Sequence, residues 1–301
     1  MELFGLEYFF SATQRVYWLY LLSAFLIAMV YVRFNPKAKK QFSKELLWHS
    51  SARLDYLYFI VVSAIKVALI LPFVLSSKDV ALRATLFLQE SFGFIQVDLD
   101  YALVLVVFSA STFVVNDFTR YWLHRFMHEV EFLWKFHRVH HSAQTLNPLT
   151  FYRVHPVENA LFGLRYALSV GFVSGVFLYF FGAKVGYVEI LGVNATTFLF
   201  GLAGSNLRHS HIPLRYGIFE SVVISPYMHQ LHHAKKSANK NYGSVLSVWD
   251  TLFQTAYRPK KVQELEFGAD VKHNSVLEAL IEPFVSIGKN FIGVKSEKSI
   301  A

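Results

Sequence analysis

The stretch that decides the fold is YALVLVVFSASTFVVNDFTRYWLHRFMH, residues 101–128. It opens as an uncharged apolar run, Tyr101–Val115, and flows into a segment carrying Asp117, Arg120, His124 and His128. We read it as one helix that leaves a membrane with its first histidines at the exit. Four further apolar runs approach the ~20 residues that a bilayer core requires: Val16–Val32, Asp55–Leu75 with Lys66 inside it, Ala160–Phe181 with Arg165 near its start, and Tyr187–Gly204. GAKVG, residues 182–186, reads as the tight turn between the last two, and Ser76–Asp100 as a connection of mixed charge.

Composition supports the membrane reading. The 301 residues are 54% hydrophobic, 17% aromatic and only 17% charged, with mean hydropathy +0.35. A soluble domain of this length is usually less apolar and more charged. The net charge of +8 would suggest nucleic acid on a soluble protein. Here the basic residues lie between apolar runs, which points to anionic headgroups and membrane topology, with no nucleic-acid partner. There is no cysteine, which excludes disulfides, thiolate zinc sites and cysteine-held clusters. Any metal must be held by histidine and carboxylate. The opening MELFGLEYFF lacks a basic region, so no cleaved signal peptide is expected and the first run is expected to stay as an anchor.

The expected fold is an all-α integral membrane protein, a bundle of four to five transmembrane helices with a cytoplasmic histidine-rich helical cap. Arg33, Lys37, Lys39, Lys40 and Lys44 mark the first connection as cytoplasmic; Arg120, Arg125, Lys135, Arg138 and Arg153 mark the second, and Arg208, Arg215, Lys235, Lys236 and Lys240 the third. Five spans reconcile these, with the N-terminus outside and the C-terminus inside. A four-span arrangement with one run lying in the interface is the rival. The expected division is 1–115 as an N-terminal transmembrane region, 116–258 as a catalytic domain including two further spans, and 259–301 as a polar cytoplasmic tail, helical at best.

Thirteen histidines are present, and all but His49 and His273 fall between residues 124 and 233. His124 and His128 are four apart, so a helix places them on one face. HRVHH (137–141) and HQLHH (229–233) are two copies of His-x-x-His-His, again with one-face spacing. Neutral imidazole suits iron, zinc and copper. Eight histidines from three boxes exceed what one metal takes, so two metals are the natural count. Glu129 and Glu131 read as solvated charges balancing Arg125 and Lys135, and Asp117 and Arg120 as a pair one turn above the first box. Lys66 and Arg165 are expected to snorkel or to face a lipid phosphate.

HRFMH, HRVHH and HQLHH resemble the three histidine boxes of the fatty acid hydroxylase / sterol desaturase superfamily of integral-membrane di-iron enzymes. HPVEN (155–159), RHSHI (208–212) and NYGSVLSVWDTLFQT (241–255) resemble its connecting and closing elements. The resemblance runs from about Asn116 to Thr255. Gln254 stands where that pattern usually has Gly, and His211 where it often has Asn. The resemblance implies His124, His128, His137, His140, His141, His209, His229, His232 and His233 as metal ligands. His155 and His211 are further candidates as ligands or as donors behind the ligands. Glu158 and Asp250 are candidates to accept an N–H from a ligand histidine and fix its tautomer; Trp249, Asp250 and Phe253 otherwise pack a cap.

The implied chemistry is a membrane oxidoreductase with two ferrous ions, O2 as co-substrate, and zinc as an adventitious occupant. It would hydroxylate a C–H bond of a lipid (a fatty acyl chain, a sterol or another membrane lipid), or desaturate it at the same site. Turnover needs two external electrons. The chain has neither a flavin-type glycine fingerprint nor a cytochrome b5-like His-Pro-Gly-Gly, so a separate cytochrome b5-like protein, or a ferredoxin-like one with its reductase, is expected. Lys235 and Lys236 are expected to help dock it. The active site is placed on the cytoplasmic side of a bacterial inner membrane or of the endoplasmic reticulum. A membrane cytochrome with b-haems, which would pair histidines across helices within the bilayer, is the distant alternative.

Overall fold

The continuous helix expected at the decisive stretch is present. In the computed structural model, which describes residues 5–70, 75–190 and 193–291, it runs unbroken over Tyr101–Glu129, about 43 Å at 1.5 Å per residue. Asp100 caps it by accepting from the Leu103 amide at 3.1 Å. The remaining α-helices of five or more residues among the described ones are α1 (Trp18–Phe34), α2 (Ser50–Ile65), α3 (Ser77–Phe92), α5 (Glu131–His141), α6 (Pro156–Phe181), α7 (Ala195–Leu202), α8 (Pro226–His233), α9 (Val248–Leu252) and α10 (Val276–Phe291), with the decisive helix as α4. Among the described residues only α4 and α6 are long and apolar enough to cross a membrane by themselves. Their outward faces carry Val106, Val107, Leu168 and Phe172, all exposed. The only sheet among the described residues is a two-residue antiparallel pair, β1 (Glu189–Ile190) with β2 (Val193–Asn194).

The connection expected at Ser76–Asp100 is largely α3, capped by Ser76 at 3.2 Å from the Asp79 amide. It lies along α6, because both helices offer small residues at the contact. A β-carbon on Gly171 would stand 2.5 Å from Val80 Cβ, and one on Gly175 2.6 Å from Ala84 Cβ. Such small-residue seams let helix backbones approach closely. Thr85 Oγ1 also donates across the seam to the Gly175 carbonyl at 3.1 Å.

The fifth expected span, Tyr187–Gly204, is not one helix. Its described part is the β1–β2 pair followed by α7, eight residues or about 12 Å, too short to cross. Asn194 starts α7 by accepting from the Thr196 amide at 3.1 Å; residues 191–192 lie outside the described set. The second expected span begins earlier than read, as α2 and a π-turn over Lys66–Ile70, and its residues 71–74 also lie outside. The first, α1, packs Ala24 and Ala28 on Leu207 and Ile212, so it runs beside the histidine-bearing segment.

The tail expected to be polar supplies α10, whose inner face puts Ala279 against Tyr58, Val62 and Val139. Glu282 pairs with Arg138. Residues 292–301 lie outside the described set.

Three charges counted above as cytoplasmic flanks face inward. Arg120 and Arg208 line an internal cavity, and Arg153 is 1% exposed. Arg153 pins the loop after the second box to α2. Its Nε donates to Asp55 at 2.5 Å and its Nη2 to the Ser51 carbonyl at 2.6 Å. Asp55 also accepts from Asn147 at 2.7 Å and Thr150 at 2.6 Å. Removing one partner of a buried pair leaves an uncompensated charge, at a cost of about 3–5 kcal/mol. Arg153→Ala is therefore expected to lower the thermal midpoint markedly, read by melting the detergent-solubilised protein.

Candidate metal centre

Box one lies on the last turns of α4, box two fills the end of α5, and box three fills α8. Val130, in extended conformation, breaks the chain between α4 and α5 and turns the second box back onto the first. Ser225 caps α8 by accepting from the Met228 amide at 3.2 Å, and Pro226 opens it with its fixed φ.

Nine histidines meet in two groups. His124, His128, His137, His141 and His232 form one; His140, His209, His229 and His233 form the other, with the ligand atoms of each group within 4.8 Å of one another. All nine residues expected from the sequence are brought together. Each His-x-x-His-His copy divides in the same way. Its i,i+4 pair enters one group and its middle histidine, rotated by about 100° on the helix, enters the other. The two copies do this in opposite senses: box two gives its pair to the five-histidine group, box three to the four-histidine group. The groups abut, with His141 and His233 stacked at 4.5 Å between centroids.

The ring nitrogens fit a metal. His124 Nδ1 donates to the Tyr242 carbonyl, His232 Nδ1 to the Lys240 carbonyl and His137 Nδ1 to Glu158 Oε1, each at 2.8 Å. Each therefore presents Nε2 inward. His137 Nε2, His232 Nε2 and both nitrogens of His141 are buried without a hydrogen-bond partner. In the second group the Nε2 atoms of His209, His229 and His233 form a triangle with sides of 3.1, 3.2 and 3.2 Å. Three imidazole nitrogens cannot satisfy one another pairwise, since each is either a donor or an acceptor. Nitrogen ligands about 2.0–2.1 Å from one metal stand roughly 3.0–3.4 Å apart, which is the size of this triangle.

The carbonyls of Lys240 and Tyr242 carry no sequence signal, because any residue supplies one. Their placement is legible afterwards in NYGSVLSVWDTLFQT. Gly243 has no room for a β-carbon, which would lie 2.7 Å from Asp250 Oδ2. Asp250 accepts from the amides of Tyr242 and Gly243 at 2.7 and 2.9 Å. It touches no histidine, contrary to one expectation, and positions His124 only through Tyr242. Asp117 does not pair with Arg120 by hydrogen bond; it accepts from Val245, Leu246 and Trp249 Nε1 at 3.0–3.1 Å and so fastens the same loop to α4. Gln254 adopts φ +60°, left-handed backbone that glycine enters without strain.

The other expected candidates have structural duties. Glu158 accepts from His137 Nδ1 at 2.8 Å. His155 caps α6, accepting from the Val157 amide at 3.1 Å and donating to the Leu280 carbonyl at 3.1 Å. His211 accepts from the Leu146 amide at 3.2 Å; burial pushes it down to about 4. Neither joins a group. Glu129 and Glu131 pair with Arg125 and Lys135 one turn away, at 2.7 and 3.4 Å. Arg165 turns inward to Asn116 and Thr119 on α4, and Lys66 lies 5.6 Å from the Tyr8 ring centroid. Lys235 pairs with Glu266, and Lys236 is exposed.

Burial, then neighbouring charges, hold His140, His141, His209, His229 and His233 well below the ordinary histidine value, and His232 at about 3. The unfolded chain takes up protons near pH 6.5, and the folded one cannot until far lower. The stability involved is therefore complete above about pH 6.5 and is lost as pH falls, by up to about 1.4 kcal/mol per pH unit for each group. Metal-stripped protein is expected to melt progressively earlier between pH 7 and 5. A flat profile there would contradict the burial of neutral imidazoles.

Fold and site define a helical protein with two abutting all-histidine clusters able to bind metal, set at the end of helices long and apolar enough to cross a membrane. Residues 109–255 match the fatty acid hydroxylase family model, and this stretch belongs to the fatty acid hydroxylase / sterol desaturase superfamily. The ornithine lipid hydroxylase OlsE of Rhizobium tropici is 31% identical over 191 residues, 62% of this chain and 54% of that protein. The alkylglycerol monooxygenase of Danio rerio is 27% identical over 183 residues, 60% of this chain and 36% of that protein. The Delta(7)-sterol 5(6)-desaturase erg3B of Aspergillus fumigatus is 25% identical over 146 residues, 48% and 38% respectively. The chain thus spans about half the length of the first of these and little more than a third of the others. No solved structure matches it.

Proposed function

We propose that this protein is a membrane-bound non-haem di-iron oxygenase that hydroxylates a C–H bond of a membrane lipid. The observation that carries the reading is the pair of abutting groups of five and four buried histidines on the wall of one cavity of about 430 Å3. His124 and His137 from one group and His140, His209 and His229 from the other all line it, with Phe59, Val62, Phe113 and Phe162. Two ferrous ions on such ligands would supply the O2 activation that an unactivated C–H bond demands. The residues do the rest. Burial keeps the imidazoles neutral and free to ligate. Glu158 and the Tyr242 and Lys240 carbonyls aim three of them. The apolar part of the wall, Phe59, Val62, Phe113 and Phe162, offers an alkyl chain a place beside the histidines.

The balance is R–H + O2 + 2 e− + 2 H+ → R–OH + H2O. The electrons come from a separate donor, cytochrome b5-like or ferredoxin-like. Since Lys235 is already paired with Glu266, Lys236 is the freer docking charge. We place the site on the cytoplasmic side of a multi-pass protein, in a bacterial inner membrane or the endoplasmic reticulum. A desaturase reading draws on the sterol desaturase among the relatives. A b-haem reading is disfavoured by the grouping in fives and fours, where paired axial histidines would face each other across helices; absence of a Soret band checks this.

Lipid extracts of producing cells grown under isotope-labelled dioxygen test the proposal. A lipid heavier by one labelled oxygen supports hydroxylation, one lighter by two hydrogens supports desaturation, and extracts identical to those of cells lacking the protein would overturn both.

A further inference from the structure

The cavity holds more positive charge than its surroundings balance. Arg15, Arg120, Arg208 and Lys66 line it, against Asp117 and Glu158. Both carboxylates are engaged elsewhere, Asp117 by the 245–249 loop and Glu158 by His137. Among the described residues none of the three arginines forms an ion pair. Arg15 donates to the Ser205 carbonyl at 2.9 Å and Arg208 to that of Ser244, which leaves most of their N–H groups unused. Arg208 is 3% exposed, and its Nε is buried without a partner. Arg120 makes no hydrogen bond among the described residues.

Each guanidinium carbon lies over one aromatic ring: Arg15 over Phe151 at 4.7 Å, Arg120 over Phe162 at 5.1 Å and Arg208 over Phe200 at 5.2 Å from the centroid. Such contacts use no hydrogen-bond acceptor, so the N–H edges not named above are not consumed by them. Those edges match oxyanions, which a planar guanidinium grips through paired hydrogen bonds. The three charges are near enough to repel one another. Arg208 is buried and Arg15 and Arg120 are half-buried, and cations gathered away from water are costly unless an anion joins them. The rest of the wall mixes aromatic and aliphatic residues such as Phe59, Val62 and Phe113 with neutral polar ones such as Gln14, Asn116 and Asn159, and five of the nine histidines line it.

We infer that this cavity takes a lipid by an oxyanion in its headgroup, carboxylate or phosphate, held by Arg15, Arg120 and Arg208. The inference rests on the lipid-oxygenase reading and names the substrate class for it.

The test is binding to the full-length, metal-loaded protein in a non-ionic detergent, followed calorimetrically with dodecyl phosphate, dodecanoate, dodecanol and inorganic phosphate. Dodecyl phosphate or dodecanoate should bind at least about tenfold more tightly than dodecanol, the difference expected of one charge-assisted contact. Arg120→Gln should remove most of that preference and leave dodecanol affinity unchanged, and Arg120→Lys should restore part of it. Arg15→Gln, which loses one backbone contact, provides the second variant. Equal affinity for dodecanol in the unaltered protein, or a preference that survives both glutamine variants, would overturn the inference. So would inorganic phosphate competing as well as dodecyl phosphate, which would mark a free-anion site. Binding is read without turnover. Oxidised lipid in cells together with no anionic preference would sink this inference alone; the preference together with no oxidised lipid would sink the oxygenase reading alone.

Discussion

His140→Ala is expected to abolish lipid oxidation and to remove one of two metal equivalents, while His141→Ala, one residue along, removes the other. The reason is the division within the second box. His140 points to the group with His209, His229 and His233, and His141 to the group with His124, His128, His137 and His232. The four-histidine group keeps three ligands after its loss and the five-histidine group keeps four, so His140→Ala should bind its metal the more weakly of the two. Turnover should fall at least about a thousandfold in either variant, or about 4 kcal/mol of barrier, because the proposed chemistry needs both ions. Steady-state oxidation in membranes, with metal analysis of the same preparations, checks both halves. Retained turnover in His140→Ala would sink the assignment of that residue as a ligand.

Glu158→Ala should produce the second-largest effect. The Glu158 carboxylate accepts from His137 Nδ1 at 2.8 Å, and both side chains are buried. That contact favours the tautomer with Nε2 inward and, with His137 as a ligand under the proposed function, would raise its basicity. Losing such a partner typically costs 10- to 100-fold in metal affinity or activity. Glu158→Gln keeps an acceptor oxygen in the same place but loses the charge, so a smaller loss, about tenfold, is expected. Chelator competition measures the affinity. Equal effects from Ala and Gln would mean that the charge and not the geometry matters; no effect from either would remove Glu158 from the site.

The sequence carried the histidines plainly, since one-face spacing and two His-x-x-His-His copies survive any packing. It did not show which histidine joins which group. That depends on how α5 and α8 are rotated against each other, and neighbours such as His140 and His141 are separated by about 100°. Helix α3 was hidden because Lys78, Asp79, Arg83, Gln89 and Glu90 interrupt its apolar pattern, while its contact with α6 depends on Ala81, Ala84, Gly171 and Gly175, residues too small to register as hydrophobic. The run at Tyr187–Gly204 looks long enough to span because hydropathy does not register that Asn194 starts a new helix within it. Arg120, Arg153 and Arg208 were counted as surface charges because burial depends on distant partners: Asp55 for Arg153, and for the other two a cavity assembled from segments far apart in the chain.

The central claim is that the nine histidines form two metal sites. Its most direct test is elemental analysis of untagged protein reloaded with ferrous iron without air, alongside His140→Ala and His141→Ala. The account predicts about two irons per chain in the unaltered protein and about one in each variant, with any zinc counted in place of iron. One metal or none in the unaltered protein, or two retained in either variant, would contradict it.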